Sequence, residues 1–227
     1  MKIALIGYGK MGHAVEEAAK QRGHTIVCTV DNDKDWNGKQ ALLRQADMAV
    51  EFSTPATAES NIRRCFALGL PVVSGTTGWD AGRRAVETTC RLYGHSLLTA
   101  SNFSIGMNIM FAINERLAEL MRGRKDYSVS ISETHHIHKL DAPSGTAISL
   151  QRQIAECGER SVESVPITSY REGEVPGTHS VVYDSEIDTI TLTHEAHSRK
   201  GLALGAVLAA EFLLGKKGCY TMKDVVG

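Results

Sequence analysis

Several features that mark whole classes of protein are missing from this sequence. It has no run of about 18 apolar residues, which a membrane-spanning helix needs. The apolar run before Gly7 is too short for a signal peptide. The 25 Lys and Arg residues balance 26 Asp and Glu residues without forming a basic stripe for nucleic acid. We therefore expect a cytoplasmic protein that binds small molecules and neither a membrane nor a nucleic acid.

The cysteines do not occur in the patterns that mark structural disulfides or zinc sites. The five cysteines are odd in number and form no C-x-x-C pair, which argues against a disulfide framework and against a thiolate zinc site. The 227 residues are 42% hydrophobic and 22% charged, as in an ordinary globular protein. A chain of this length is expected to form one large domain or two small ones.

Strand and helix patterns alternate up to residue 100. Short apolar or β-branched runs predict strands, and the segments between them have helical composition with Gly or Pro near their ends. The predicted strands are residues 2–6, 25–30, 49–53, 72–74 and 96–99, with helices at 13–23, 54–69 and 80–93. This alternation predicts a Rossmann-like, doubly wound parallel sheet.

The pattern changes in the second half of the chain. Helical patterns at 107–121 and 146–157 mix with alternating strand patterns, which lie at 127–133, 165–170 and 187–194. Because these elements do not follow a strand-helix-strand order, we predict a smaller α+β domain over residues 105–199. The last helix, about 202–214, is apolar on nearly every face and is predicted to be buried.

The first candidate site is the segment Gly7-Tyr8-Gly9-Lys10-Met11-Gly12. It is a G-x-G-x-x-G motif between a predicted strand and a predicted helix, where glycines allow a tight turn and close approach of a pyrophosphate. Asp31 follows the second strand, where a carboxylate can accept hydrogen bonds from a ribose hydroxyl. The segment therefore predicts a dinucleotide site.

The choice between NAD and NADP stays open at this point. Asp31 favours NAD, because a carboxylate repels a 2′-phosphate, and Asn32 stands where an NADP site more often has Arg. Lys10 in the turn and the nearby Lys34 are nevertheless possible phosphate partners. Dual use of NADH and NADPH is consistent with these residues.

Two later strand ends are predicted to reach the same crevice, since the strand ends of an open α/β sheet share one edge. These are Gly75-Thr76-Thr77-Gly78 and Ala100-Ser101-Asn102-Phe103. The first segment by itself is more typical of an ordinary strand-to-helix turn. The second lies at the change of domain, so it is a candidate for both a hinge and a nicotinamide contact.

The most informative segment runs from Glu133 to Ala147, ETHHIHKLDAPSGTA. A zinc site is discounted, because adjacent His135 and His136 point apart on a strand and no Cys or helical H-E-x-x-H completes it. Ser144 is a good helix N-cap, and Gly145 lets a carboxylate approach the first helical N–H groups. Histidine can act as a general acid near neutral pH. The segment predicts a site for an acidic substrate that is protonated during hydride transfer.

The chain resembles the 4-hydroxy-tetrahydrodipicolinate reductase (dihydrodipicolinate reductase) family. The segment HHIHKLDAPSGTA is similar to that family's signature, and GYGKMG, GTTG and SNFSIGMN occur in the same order and spacing. The resemblance covers essentially the whole chain, as a short member. Lys10 stands where many members have Arg. The resemblance implies NAD(P)H-dependent reduction of a dicarboxylate cyclic imine in the diaminopimelate route to lysine, without a metal.

The resemblance also assigns roles by motif position. His135 would be the acid/base histidine and Lys139 the proton donor, with hydride delivered to C4 of the ring, and His136, Gly145 and Thr146 would bind the substrate. The cofactor would be held by Gly7, Tyr8, Gly9, Lys10, Met11, Gly12, Asp31, Gly75, Thr76, Thr77, Ala100, Ser101, Asn102 and Phe103. The family implies a homotetramer and a discontinuous first domain, residues 1–104 with 200–227.

Two other functions are considered from the residues. Another two-domain nicotinamide oxidoreductase, such as an amino-acid dehydrogenase, would share the glycine motif but has no need of H-H-x-x-K before S-G-T. A non-catalytic NAD(H)-sensing protein would need neither His135 nor Lys139. Arg199 is expected to be a surface ion-pair residue or to reach the substrate, and Glu133 is expected to pair with a strand neighbour.

Overall fold

The computed structural model describes residues 1–198 and 200–227. Within it the chain forms two compact units, Met1–Ile105 with Lys200–Gly227, and Gly106–Arg199. Arg199, a candidate of the sequence analysis, lies outside the described residues. Among the described residues, no helix is long and apolar enough to cross a membrane.

The first unit is built from six strands and seven helices. Its strands are β1 (Lys2–Ile6), β2 (Thr25–Val30), β3 (Met48–Glu51), β4 (Val72–Ser74), β5 (Ser96–Thr99) and β10 (Gly218–Tyr220). Its helices are α1 (Lys10–Gln21), α2 (Asp33–Gly38), α3 (Gln40–Leu43), α4 (Pro55–Ala67), α5 (Asp80–Tyr93), α8 (Lys200–Leu213) and α9 (Met222–Val226). Helix α6 (Ile105–Leu120) begins at the last residue of this unit's first segment.

All strands of the first sheet are parallel, in the order β10-β5-β4-β3-β1-β2. In β1, Ile3 and Leu5 pack into the core on one face of the sheet, whereas Ala4 and Ile6 pack into the core on the other. A strand buried on both faces reads as a continuous apolar run, as the sequence shows here. The predicted Rossmann-like fold is confirmed.

The second unit has a separate mixed sheet in the order β7-β6-β8-β9. Its elements are most of α6, then β6 (Ser128–His135), α7 (Gly145–Gly158), a 3-10 turn (Val162–Ser164), β7 (Ile167–Arg171), β8 (Gly177–Asp184) and β9 (Thr189–Ala196). Strand β6 is parallel to β7 and antiparallel to β8. The core of the second unit contains Ile131 of β6, Leu150 of α7 and Tyr183 of β8.

Several helices and strands were not predicted from the sequence. Helices α2, α3 and α9 and strands β8 and β10 were not predicted, and the alternating pattern of β6 did not indicate its parallel neighbour β7. Strand β8 buries Gly177, His179, Val181 and Tyr183 on one face. A glycine and a histidine at two core positions hide the alternation of apolar side chains on which strand prediction depends.

Helix α8 is buried, as predicted, and packs with α1 against one face of the first sheet. At the edge of this pair, Arg22 donates two hydrogen bonds of 2.8 Å to the Glu211 carboxylate, and His24 lies 2.7 Å from it. The hydrogen bond from Arg22, aided by His24, lowers the pKa of Glu211 below its usual value, although burial opposes the shift.

We expect Glu211→Gln to lower the free energy of unfolding at pH 7 by about 0.5–1 kcal/mol, the value of a partly exposed ion pair. Because the pKa of Glu211 is lower in the folded state, its stabilisation is present above the unfolded-state pKa and is lost as the pH falls through the folded-state value. Urea unfolding of both proteins at pH 7 and pH 3.5 measures this. A constant difference between them at both pH values would contradict the assignment.

Candidate active site

The glycine-rich turn between β1 and α1 places backbone where side chains cannot fit. Gly7 has φ +92°, and a Cβ there would lie 2.0 Å from the carbonyl oxygen of Phe52. A Cβ on Gly12 would lie 2.5 Å from the Gly7 carbonyl oxygen, so this glycine allows α1 to start close to the strand. Gly9 is the N-cap of α1, and a Cβ on it would meet nothing within 4 Å. The turn therefore leaves open space beside a helix N-terminus, which suits a phosphate.

Asp31 lies at the end of β2 beside this turn. Its Oδ1 accepts a hydrogen bond of 3.0 Å from the Tyr8 N–H, and the Gly7 N–H donates to the Val30 carbonyl at 2.7 Å. Asp31 and Asn32 are exposed, and Asn32 caps the short helix α2 by accepting from the Asp35 N–H. The turn and the end of β2 are thus held together by hydrogen bonds that the Gly7 and Tyr8 N–H groups donate.

A cleft of about 550 Å³ opens at this edge of the sheet. It is lined by the glycine turn, by the residues after β2 and β3, and by one face of α4, with these members: Gly7, Tyr8, Gly9, Val30, Asp31, Asn32, Asp33, Trp36, Phe52, Ser53, Thr54, Thr57, Ser60, Asn61 and Arg64. Arg64 donates to Asp33 Oδ1 at 2.6 Å and lies 5.5 Å from the Trp36 ring centroid. The cation nearest to Asp31 in this lining is therefore already paired.

A buried carboxylate organises the next part of the edge. Glu51 at the end of β3 is fully buried and accepts hydrogen bonds from the hydroxyls of Ser53, Ser74 and Thr76, the last two at 2.6 and 2.9 Å. The Thr76 hydroxyl is in turn 2.9 Å from the Ser53 N–H, which donates to it. Glu51 was not singled out from the sequence, although an acidic residue ending an apolar strand is a usable signal.

The two later strand ends line a second, smaller cleft of about 170 Å³ in the same unit. Thr76, Thr77, Ala100 and Ser101 line it, and none of them lines the first cleft, so the expectation that they share one crevice with the glycine turn stays a prediction. Gly75 does not line it, but a Cβ there would lie 2.1 Å from the Phe52 ring, so this residue must be small.

The remaining predicted cofactor residues are placed less directly. Lys10 is exposed and starts α1, Met11 packs partly against the core, and neither lines the first cleft. Asn102 accepts a hydrogen bond of 2.9 Å from the Ser104 N–H. The Phe103 side chain is buried in the core, 2% exposed, so only its backbone is available to a ligand.

In the second unit, Glu133 of β6 is the centre of a buried polar cluster. It is 1% exposed, and its Oε1 accepts hydrogen bonds from the Ser144 N–H at 3.0 Å and from the Ser169 hydroxyl at 2.8 Å. Ser169 lies opposite Glu133 on β7, so the expected pairing of Glu133 with a strand neighbour is confirmed. The hydrogen bond from Ser144 is a further contact that was not expected. Burial alone would raise the pKa of Glu133, but the hydrogen bonds from Ser144 and Ser169 outweigh it, and the pKa lies below its usual value.

Two histidines face this carboxylate. His135 ends β6 and is 8% exposed, and His179 lies on the adjacent strand β8 at 4% exposure. Their Nε2 atoms are 3.3 Å apart, and each lies within 3.6 Å of Glu133 Oε2. Burial lowers the pKa of both: that of His179 falls to about 4, with a further contribution from His135. Burial therefore disfavours the charged form of both imidazoles.

Helix α7 begins directly beside this cluster. Ser144 is its N-cap, as predicted, and the Ser144 hydroxyl accepts from the Ala147 N–H at 3.2 Å. The N–H groups of Gly145 and Thr146 then have no partner within the helix. A Cβ on Gly145 would meet nothing within 4 Å, so the space beside this residue is open. The arrangement can hold a carboxylate at a helix N-terminus.

Lys139 lies in the loop between β6 and α7. Its ammonium donates to both Asp141 carboxylate oxygens at 2.7 Å. Arg171 at the end of β7 donates to the backbone carbonyls of Lys139 and Asp141, which fixes the loop. His136 follows β6 and is half-buried, with its ring 6.1 Å from that of the exposed His138. Lys139 and Arg171 thus belong to one network in the loop that precedes α7.

The structure thus brings His135, Lys139, Gly145 and Thr146 into one region of the second unit, and Gly7, Tyr8, Gly9 and Asp31 into one cleft of the first. His179 was not found from the sequence, because its strand β8 was not predicted. Arg171 was not found either, because it lies far in sequence from the loop around Lys139 that it holds.

Comparisons with known proteins find the same family in both halves of the chain. The family model for the N-terminus of dihydrodipicolinate reductase matches residues 1–103, and that for its C-terminus matches residues 106–226. The chain is 47% identical to a 4-hydroxy-tetrahydrodipicolinate reductase of Christiangramia forsetii, with 100% of this chain and 98% of that protein covered.

Solved structures show the same fold. A dipicolinate-bound dihydrodipicolinate reductase from Paenisporosarcina sp. TG-14 matches with a TM-score of 0.83 at 20% identity, covering 97% of each chain. An aspartate dehydrogenase from Thermotoga maritima matches with a TM-score of 0.52 at 14% identity, covering 96% of this chain and 97% of that one. The second likeness extends to the architecture alone.

Proposed function

Because this chain belongs to the dihydrodipicolinate reductase family, we propose that it reduces 4-hydroxy-tetrahydrodipicolinate to tetrahydrodipicolinate with a reduced nicotinamide nucleotide and a proton, while the 4-hydroxyl group leaves as water. It is an oxidoreductase of the diaminopimelate route to lysine. The observation that carries the proposal is the N-terminus of α7, whose N-cap Ser144 contacts both the buried Glu133 and the buried His179. An amino-acid dehydrogenase or a nucleotide sensor has no use for that combination.

The first unit binds the nucleotide. The open space beside Gly9 and the N-terminus of α1 fits a pyrophosphate, and the Asp31 carboxylate fits a ribose hydroxyl. Thr76, Thr77, Ala100 and Ser101 offer hydroxyl and backbone groups in the second cleft for the rest of the nucleotide. When bound, the reduced nicotinamide supplies a hydride to C4 of the substrate ring.

The second unit binds the cyclic imine and protonates it. The N–H groups of Gly145 and Thr146 hold one substrate carboxylate, and His136 and Lys139 attract the dianion. Lys139, or His135, donates the proton that the ring nitrogen gains as charge develops there. Asp141 holds the Lys139 ammonium in place through two hydrogen bonds of 2.7 Å.

A coupled assay tests the reaction. Pyruvate and aspartate semialdehyde are condensed by the preceding synthase, this protein is added, and loss of reduced-nicotinamide absorbance is followed with NADH and NADPH separately. We expect oxidation that requires every component. No oxidation by folded protein that still binds NADH would reject the proposal in favour of the dehydrogenase or sensor.

Asp31 sets the cofactor preference in this proposal. Like charges about 4 Å apart near a protein surface repel by up to about 4 kcal/mol, so the Asp31 carboxylate disfavours a 2′-phosphate. Arg64 does not offset it, because it is paired with Asp33. We expect Asp31→Ala to raise the ratio of kcat/KM with NADPH to that with NADH by about tenfold or more, which corresponds to about 1.4 kcal/mol.

The alternative that Lys10 binds the 2′-phosphate is tested in the same assay with Lys10→Ala, and Asp126→Ala serves as a control at an exposed loop. We expect both of these to leave the ratio unchanged. If Lys10→Ala lowers the use of NADPH and Asp31→Ala does not change the ratio, the preference depends on Lys10 instead.

The oligomeric state and location are part of the proposal. Strand β9 is an edge of the second sheet and exposes Thr189, Ile190, Thr191, Thr193 and Glu195. An exposed edge and face of this kind are suited to pairing with further copies of the chain. We expect a cytoplasmic homotetramer joined through these sheets, and sedimentation velocity at micromolar concentration measures the mass.

A further inference from the structure

We propose that Glu133, His135 and His179 form a three-ligand site for Zn²⁺ in the second unit. The three residues come from two adjacent strands, β6 and β8, and all are buried. The site differs from the one discounted from sequence, because it uses neither His136 nor His138. Two imidazoles and one carboxylate are a donor set that zinc accepts with a fourth position left open.

The distances between the ligand atoms fit a tetrahedral metal. His135 Nε2 and His179 Nε2 are 3.3 Å apart, and Glu133 Oε2 lies 3.4 Å from the first and 3.6 Å from the second. Zinc–ligand bonds of about 2.0–2.2 Å at tetrahedral angles separate the ligands by about 3.3–3.6 Å. Octahedral Mg²⁺ at about 2.0–2.1 Å would require about 2.8–3.0 Å and prefers oxygen ligands. The cluster therefore matches zinc without rearrangement of its ligand atoms.

The imidazole rings have the separation that a shared metal needs. If both Nε2 lone pairs point at one zinc ion, each ring centroid lies about 3.2 Å from it, and a tetrahedral angle puts the centroids about 5.2 Å apart. The observed separation of the His135 and His179 centroids is 5.0 Å.

The Glu133 carboxylate keeps one oxygen available for a metal ion. Glu133 Oε1 is held by Ser144 and Ser169, whereas Oε2 is buried and accepts no hydrogen bond from the described residues. The Nε2 atoms of His135 and His179 lie within hydrogen-bond distance of each other, so both rings must carry their proton on Nδ1 when the ion is bound.

Two neighbours oppose a permanently bound ion. The Arg171 guanidinium lies 3.7 Å from Glu133 Oε1, and the Ser144 hydroxyl lies 3.2 Å from His179 Nε2, where it competes for the lone pair. Rotation of that hydroxyl frees the nitrogen, but the nearby positive charge weakens attraction for a dication. We therefore infer reversible binding of Zn²⁺ rather than a resident structural metal.

Occupation of the site would inhibit the enzyme. This consequence rests on the proposed function, in which His135 carries a proton. A zinc ion bound to His135 Nε2 occupies the lone pair that takes up that proton, and its charge also draws a substrate carboxylate away from the start of α7. Loss of turnover with added Zn²⁺ and recovery with a chelator are the expected behaviour.

Binding is tested on the full chain without any substrate. Zn²⁺ is titrated by calorimetry, and Co²⁺ by visible absorption, since four-coordinate Co²⁺ absorbs strongly. We expect one ion per chain and a four-coordinate spectrum. His179→Gln and Glu133→Gln should each weaken Zn²⁺ binding by more than about a hundredfold, beyond the 10–100-fold cost of losing an outer-shell partner. His138→Gln, which removes an exposed histidine beside Glu174, should bind as the original protein does.

The outcomes separate this inference from the proposed function. Anomalous diffraction at the zinc edge from crystals soaked in Zn²⁺ locates the ion even if a variant fails to fold. Binding at another place, loss of binding in His138→Gln, or an octahedral Co²⁺ spectrum would overturn the site. Reductase activity that Zn²⁺ does not inhibit, at concentrations that fill the site, would overturn the inhibition. Zinc binding in a protein without reductase activity would leave the site standing and reject the proposed function.

Discussion

His135→Ala and Lys139→Ala are each expected to lower kcat by about 10²–10⁴-fold, the usual contribution of a positioned proton donor. The affinity for NADH should not change, because both residues belong to the second unit and the nucleotide residues to the first. Truncating Lys139 also removes the partner that Asp141 holds with two hydrogen bonds. If the two residues act as one proton-donating unit, the double variant should be little worse than the poorer single one.

The measurement is kcat and KM in the coupled assay, with NADH affinity from fluorescence titration. His138→Ala and Lys125→Ala are matched controls, since both side chains are exposed in the same unit. We expect each control to retain full turnover. Full turnover in His135→Ala and in Lys139→Ala would remove both residues from the proposed mechanism, whatever the identity of the reaction.

Gly205→Ala is expected to destabilise the first unit by more than about 2 kcal/mol, at the upper end of overpacking effects. Gly205 lies in the buried helix α8, and a Cβ there would lie 1.7 Å from the Phe103 carbonyl oxygen and 2.8 Å from its carbonyl carbon. These are backbone atoms, so the helix or the segment after β5 must shift. The same segment carries Ala100 and Ser101, and we therefore also expect weaker binding of the nucleotide.

A matched control lies one turn earlier in the same helix. A Cβ on Gly201 would meet nothing within 4 Å, so Gly201→Ala should stabilise the protein by about 0.5–1 kcal/mol through helix propensity alone. Thermal and urea unfolding of both variants measure the difference. If Gly205→Ala were as stable as Gly201→Ala, the close contact between α8 and Phe103 would not exist in solution.

The sequence predicted most of the first unit because its signals are local. Apolar runs that end at Gly7 and Asp31 mark strands buried on both faces, and the intervening helix has its own amphipathic pattern. Short elements such as α2 and β10 gave no such signal. Strand β10 depends on its pairing with β5, which lies far away in the chain, and α2 is only six residues long.

The second unit was harder to predict because its polar side chains occupy core positions. Strand β8 places Gly177 and His179 where apolar residues would mark a strand. The alternating pattern of β6 indicated a strand, but it could not show that Glu133 reaches Ser144 across 11 residues or Ser169 across 36.

The sequence by itself determined the parallel sheet, the glycine turn beside Asp31, the N-cap Ser144 and the family signature, because each depends on residues close together in the chain. Only the tertiary structure decided that Glu51 gathers Ser53, Ser74 and Thr76, and that Glu133, His135 and His179 meet in one buried cluster. The physical reason is that a buried charge must find its partners wherever the fold brings them, and that pairing leaves no local periodicity in the sequence.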